Sequence, residues 1–460
     1  MKRRPMAAAL LLCAVLLSSC NKAEQFQRGA GSSRTEPHTE KATSSRATEP
    51  PVKPTISEEE AESLLAELRE KQNKTEPPTE PPTEPETDFT GDYVHGADGY
   101  FCIADTSVPT ELRMQKSGTC WAFASTAAIE NSCFLNAGRK HEIDPLAVVS
   151  RVYGPDKNEG IFIKEGCIAE NIGGSWELVA DVFSSGYNGI YAADTFYIEE
   201  DETETVKEAI KNYGGVIASL NETASKRQLS HGYLTFNNPK PSKPDHELLI
   251  IGWDDNFPKS YFKKKAEQNG AWIAYNSNIG EFGYYYISYD TSFDEMAVIS
   301  ATDKYSACES YDTGNFFGRT LDLGKETDLA NVFHRAGTLA AVGTFCNGDS
   351  ESIIIEIYDA SFSELLYSQK AKMTGEGWHI TDLDQPLSVT DCAVVVRYGG
   401  DAPLESEWNS DYRECRAVIE PGQSYVKVGE EWLDLADSDT ADRIGVKYEP
   451  KNCCIKAYYK

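Results

Sequence analysis

The sequence predicts an α+β domain followed by an all-β sandwich, both carried on a low-complexity stalk. Three observations predict this. Between about residues 91 and 304 helical apolar spacing comes first and short β-like runs follow, the α+β order. From 305 to 460 short apolar runs are separated by Gly, Asp, Asn and Ser clusters, as in a sandwich. Ahead of both, residues 20–90 collapse to Thr, Glu, Pro, Ser and Lys.

Residues 1–19 read as an export signal. Lys2, Arg3 and Arg4 form a positive n-region, and Met6 to Leu17 a short apolar stretch. It is too short for a mature bilayer-spanning helix. Leu17-Ser18-Ser19-Cys20 resembles a bacterial lipobox, which makes Cys20 the expected lipidated first residue of an exported lipoprotein. An ordinary signal peptide with Cys20 incidental is the alternative, and the polar run after Cys20 favours the lipoprotein. The stalk repeats a Thr-Glu-Pro-Pro unit from Thr75 to Asp88 that favours hydrated polyproline II over any core. One helix is expected near 57–72, where Ser57 opens a capping box and Leu64, Leu65 and Leu68 follow.

In the α+β domain a first helix is expected from Cys120 to about Leu135, with Trp121, Phe123, Ala124, Ala128 and Ile129 at helical spacing. A second follows the "NIGGS" turn through Trp176, Leu178, Val179, Val182 and Phe183, and a third covers Thr205 to Tyr213. Strands are expected in "GVIASL", "ELLIIGW", "AWIAYNS" and "GYYYISY". In the sandwich, "AAVGTF", "SIIIEIYD", "AVVVRY" and "RIGVKY" read as strands, with no amphipathic helix among them.

The charge balance is strongly acidic, 73 Asp plus Glu against 44 Lys plus Arg, for a net −29. Nucleic acid needs a basic face, so it is excluded as a partner. Electrostatic adhesion to anionic lipid is disfavoured too, which leaves the Cys20 anchor as the membrane attachment. Twelve cysteines are present. With Cys13, Cys20 and Cys120 set aside an odd number remains, and it cannot all pair within one chain. No CxxC or Cys/His spacing suits zinc, and no cofactor is implied.

"QKSGTCWAF" sets Cys120 after a small-residue turn at the start of an apolar helix. A buried core thiol is the bland reading. A cysteine nucleophile needs thiolate character, which a helix N-terminus and a neighbouring imidazole supply. His246, opening "HELLIIGWDD", is the expected base, and His231 in "LSHGYL" its near competitor. Asn276 in "WIAYNSNIG" can orient the imidazole through its amide oxygen. Gln115 can add a side-chain N–H to the backbone N–H of Cys120 as oxyanion donors.

"QKSGTCWAFAS", "HELLIIGWDD" and "WIAYNS…GYYYISYD" resemble the three signature blocks of papain-like cysteine peptidases. "NIGGSWELVADVF" resembles the family's GG-containing segment beside the substrate cleft. With the acidic loop after "GWDD" and the β-rich tail, the chain resembles a bacterial surface subgroup in which a lectin-like domain follows. The resemblance implies a two-lobed papain-like domain and peptide-bond hydrolysis through an acyl-enzyme. Cys120 is then the nucleophile, His246 general base and then acid, Asn276 its orienter and Gln115 an oxyanion donor. Gly173 and Gly174 would lie along bound peptide.

Two departures stand out. The family places its Gln one residue further from the Cys, so Gln115 needs a shortened turn to reach the oxyanion. The family also has Trp after the Asn-Ser pair, where this chain has Asn278 and Ile279, and a wetter His246–Asn276 contact is expected. The rival reading is therefore a weak or inactive peptidase scaffold that binds at the surface through its lectin-like domain. Cysteine-dependent cell-wall hydrolases and transglutaminase-like proteins rank lower, since they follow the His with Asp or His. For the sandwich, Trp378, Trp408 and Trp432 are candidate carbohydrate platforms, though core packing is the commoner use of any one. Asp401, Asn409 and Asp411 fit no calcium-ligand spacing and read as turn residues.

Overall fold

A computed structural model describes residues 93–460 except 155–157, 200–201, 223–226, 264–265, 280–282, 314–318 and 324–325. The export signal, Cys20, the stalk and the helix expected near 57–72 lie outside the described residues.

Five α-helices are described: α1 (Cys120–Ala137), α2 (Pro145–Val152), α3 (Trp176–Ser184), α4 (Thr203–Tyr213) and α5 (Thr440–Ile444). The first is apolar almost all round and rich in alanine, the pattern of a helix buried on every side. It stops at Gly138, whose left-handed φ of 66° lets its N–H reach Phe134 O. The α2 helix was not foreseen in the sequence, although its signal is there. Asp144 caps it by accepting from Leu146 N at 2.9 Å, and Pro145 opens it.

The helices pack on an antiparallel run of strands, Tyr191–Ile198, Glu295–Thr302, Val216–Leu220, His246–Asp254, Ala271–Tyr275 and Tyr285–Ser288. Alternation along His246–Asp254 turns Leu249 and Ile251 toward the cluster built with Trp121 of α1 and Phe183 of α3. Leu248 and Ile250 join Val206 and Ile210 of α4 on the other face. Both faces are covered, which is why "ELLIIGW" reads as a continuous apolar run.

The C-terminal part packs two sheets face to face. Leu365–Thr374, Ser350–Tyr358, Cys392–Tyr398, Thr327–Phe333, Ser424–Val428 and Glu431–Asp434 form one. The other contains Ala307–Glu309, Lys456–Tyr459, Gly337–Cys346 and Gly377–Val389. Ile353, Ile355, Val394 and Phe333 meet Leu339 and Tyr459 between them. This second sheet continues into the first domain's sheet where His379 pairs with Asp194. A separate hairpin, Trp408–Asn409 with Arg413–Arg416, adds to the strand Gly160–Ile163.

One strand expectation fails. "RIGVKY" (Arg443 to Tyr448) holds the end of α5 and a turn. Gly445 is left-handed at φ 79° and closes the helix, a stop signal that outweighs the β-branched neighbours.

Candidate active site

Cys120 is the first residue of α1 and is partly exposed, while Trp121 behind it is fully buried with its indole N–H donating to Gly118 O at 3.2 Å. The helix lies against the strand that His246 opens. None of the described cysteines is in a disulfide. Burial pushes the Cys102 and Cys392 thiols up to about 11 and those of Cys133 and Cys453 up to about 12, the behaviour of inert core thiols.

His246 and Asn276 meet as expected, with Nε2 of the ring 2.9 Å from Asn276 Oδ1. The same Oδ1 accepts from Asn278 N at 2.9 Å. The contact is dry. His246 is 5% exposed and Asn276 0%, so the wetter contact expected from the missing Trp is not what forms. Asn278 occupies that Trp position, and its Nδ2 lies 3.3 Å from the other ring nitrogen, Nδ1.

What replaces the indole is a buried ion pair that sequence reasoning missed. Glu222 follows the strand Val216–Leu220 and is paired with Arg227 at 3.0 and 2.7 Å. Its Oε1 also accepts from Asn276 Nδ2 at 2.8 Å, and its Oε2 from Asn278 Nδ2 at 2.7 Å. Oε2 stands 3.7 Å from His246 Nε2. Burial alone would raise the Glu222 carboxyl. The nearby His246 and Arg227 charges, with hydrogen bonds from Asn278 and Arg227, overcome this and hold it below the usual carboxylate range. Nothing local marks Glu222 in the sequence; the one pointer is the departure at Asn278.

Gln115 is tied to the far side of the same strand end. Its N–H donates to Ser277 O at 2.9 Å, and Ser277 Oγ donates to its Oε1. Tyr275 Oη donates to Arg113 O at 2.9 Å, so Asn276 sits between two links to the segment that leads into Cys120. Gln115 Nε2 donates to Ser117 O at 2.7 Å, inside the shortened turn. An amide nitrogen carries two hydrogens, and one is thus already used.

Of the two glycines, Gly174 packs on Trp121, the residue after Cys120. A Cβ on Gly174 would fall 2.3 Å from the indole, so the backbone passes where only glycine fits. Gly173 is left-handed at φ 74°, and its carbonyl accepts from Tyr153 Oη at 2.5 Å. Arg413, from the sandwich hairpin, is buried and donates to that same hydroxyl.

The competing base, His231, stacks on Tyr261 with centroids 3.8 Å apart. Trp378 is fully buried, the core use that the sequence favours for any one of the three tryptophans, and is no carbohydrate platform. Trp408 and Trp432 are half-buried, and Trp432 stacks on Phe362. Asn409 accepts from Lys164 Nζ at 2.7 Å, a contact between the two halves of the chain.

Residues 310–459 match the family described as lectin like domain. Among curated proteins, digestive cysteine proteinase 3 of Homarus americanus is 26% identical over 182 residues, 37% of this chain and 54% of that protein. Cathepsin L of Sarcophaga peregrina is 28% identical over 183 residues, 36% and 51% of the two. The chain spans about half the length of these curated relatives. Among solved structures, the cysteine protease and lectin-like domains of Cwp84, a surface layer associated protein of Clostridium difficile, align with a TM-score of 0.62 at 17% identity. That alignment covers 79% of this chain and 88% of that one. Clostridial Cwp84 after propeptide cleavage aligns at 0.61 and 17%, over 78% and 98%. At these identities the likeness carries the fold, a papain-like cysteine protease fold followed by a lectin-like domain.

Proposed function

We propose that this chain is a cysteine peptidase that hydrolyses peptide bonds through an acyl-enzyme on Cys120. His246 takes the thiol proton, and the thiolate attacks the scissile carbonyl carbon. The developing oxyanion is met by the Cys120 backbone N–H and the remaining amide hydrogen of Gln115. His246 then gives its proton to the leaving amine as the C–N bond breaks, leaving a thioester. Water, deprotonated by His246, attacks that thioester. The acid departs and the thiol re-forms.

The observation that supports this reading best is the buried 2.9 Å contact between His246 Nε2 and Asn276 Oδ1, on a strand packed against the helix that Cys120 opens. With the ring hydrogen on Nε2, the Nδ1 lone pair, which Asn278 Nδ2 also approaches at 3.3 Å, is the one proposed to take the thiol proton. The test is hydrolysis of a set of fluorogenic dipeptidyl amides by the full chain and by Cys120→Ala. Turnover that the substitution abolishes is expected; equal turnover by both proteins would overturn the reading.

The remaining roles are proposed on the same footing. Gly173 and Gly174 line the cleft beside bound peptide backbone. Cys20 carries the lipid that anchors an exported protein outside the cytoplasm, with residues 20–90 as the spacer and the domains at 91–304 and 305–460. No helix among the described residues is long and apolar enough to cross a membrane. The lectin-like domain takes a carbohydrate ligand, with Trp432 its half-buried candidate. One observation favours the weaker-enzyme reading: Gln115 Nε2 already donates within its own turn. Under that reading the chain binds at the surface through its sandwich.

A further inference from the structure

The missing indole leaves a question that the geometry answers. An asparagine amide has two nearly isosteric ends, and His246 is oriented only if the oxygen end faces it. At Asn276 the nitrogen end faces Glu222 Oε1 at 2.8 Å. An ionised carboxylate accepts hydrogen bonds and donates none, so the amide is fixed with Nδ2 toward Glu222 and Oδ1 toward His246. Asn278 is set in the same way, its Nδ2 on Glu222 Oε2 at 2.7 Å and its backbone N–H on Asn276 Oδ1 at 2.9 Å. Two donors then converge on one oxygen.

Glu222 is itself placed from two sides. Asp245, the residue before His246, accepts from Glu222 N at 2.6 Å, so backbone and base move together. Arg227 binds both carboxylate oxygens in a bidentate fork, with side-chain exposures of 7% and 0% for the two partners. A buried charge left unpaired is strongly destabilising, so the Arg227 fork is what allows a carboxylate to sit beneath the imidazole.

We infer that Glu222, clamped by Arg227, is a positioning residue that sets the orientation of Asn276 and through it the tautomer of His246. It does by hydrogen bonding what the indole at the Asn278 position does by covering. The inference rests on the peptidase reading for its kinetic consequence, while the tautomer itself belongs to the folded protein whatever its activity.

Glu222→Gln tests it, because glutamine keeps the shape but has one acceptor oxygen for the two amide donors, Asn276 Nδ2 and Asn278 Nδ2, that the carboxylate serves together. Two readouts are taken on the full chain. The first is kcat and KM on the best fluorogenic amide: kcat is expected to fall roughly 10- to 100-fold, with KM changing by no more than about twofold. The second is the ¹⁵N spectrum of histidine-labelled protein, with the His246 signals assigned through His246→Gln. The wild type is expected to hold the hydrogen on Nε2, and Glu222→Gln to give a tautomer mixture. If Glu222→Gln fails to fold, the double variant Glu222→Gln, Arg227→Met removes both charges together and carries the same two expectations.

An unchanged tautomer with unchanged kcat overturns the inference, even where thermal stability drops, because a merely structural role moves only the latter. If the wild type hydrolyses none of the amides, the peptidase reading fails alone. The ¹⁵N spectrum then still decides the role of Glu222.

Discussion

The Arg413 guanidinium of the β-sandwich donates to the Tyr153 hydroxyl, which follows α2 in the other domain and in turn donates to Gly173 O at 2.5 Å. A residue of the lectin-like part thus reaches, through one side chain, the glycine carbonyl proposed to flank bound peptide. Both rings around the guanidinium, Tyr153 and Trp408, lie 5.6 Å from its carbon. Arg413→Met keeps much of the buried stem and removes the donor. Its expected cost is about 1–3 kcal/mol of stability by chemical denaturation. KM is expected to rise several-fold while kcat stays near wild type.

Asn276→Ala removes the oxygen that faces His246 and leaves Glu222 short of one donor. A drop in kcat of roughly 100-fold is expected, by analogy with other imidazoles that lose their orienting group. Stability should fall by about 1–3 kcal/mol from the under-satisfied carboxylate. Steady-state kinetics and urea denaturation on the same preparation check both.

Gly174→Ala places a methyl 2.3 Å from the Trp121 ring. The indole is pinned by its N–H bond to Gly118 O and cannot retreat without disturbing the turn before Cys120. An overpacking cost of about 1–3 kcal/mol is expected, together with slower alkylation of Cys120 by iodoacetamide. Gly173→Ala meets no such atom, and its cost comes from the left-handed backbone at φ 74°.

Three carboxyls are buried near one another. Glu247 and Glu295 both pair in register with Ser219 on neighbouring strands, and Glu177 accepts from Tyr197 Oη at 3.1 Å. Burial raises Glu177, Glu247 and Glu295, and the mutual charges raise Glu247 and Glu295 further. Raised folded-state values favour the protonated form, so their contribution is fully present below the unfolded carboxylate range. It is lost as pH rises through the folded values. Glu222 works in the opposite sense, its contribution being lost as pH falls through its depressed value. Glu247→Gln is therefore expected to stabilise the protein at pH 8 by about 1 kcal/mol or more and to change little at pH 4. Thermal denaturation at the two pH values checks it.

The parts legible in the sequence are those whose chemistry is local. Cys120 at a helix start, His246 at a strand start and Asn276 at a strand end each carry their own signal, and the sheet brings the last two together. Glu222 and Arg227 have no local signature, because a buried ion pair is made by tertiary proximity and looks like surface charge in one dimension. Asn278 showed as a departure, but its consequence could not be read: the expected wet contact is replaced by a second amide and a carboxylate. In the sandwich, Gly445 turned an apparent strand into a helix end. Where the two sheets join, His379 is the residue in register with Asp194 and Trp378 N donates to Thr195 Oγ1 at 2.8 Å, a junction too short to leave a periodic pattern in the sequence.

The most direct measurement of the central claim is intact-mass spectrometry of the full chain after exposure to a peptidyl epoxide that alkylates catalytic thiols. One adduct is expected, mapped to Cys120 by peptide fragmentation, absent in Cys120→Ala and slowed in Asn276→Ala. Equal labelling of wild type and Cys120→Ala, or no adduct on Cys120 at any pH, would contradict the assignment of Cys120 as the nucleophile.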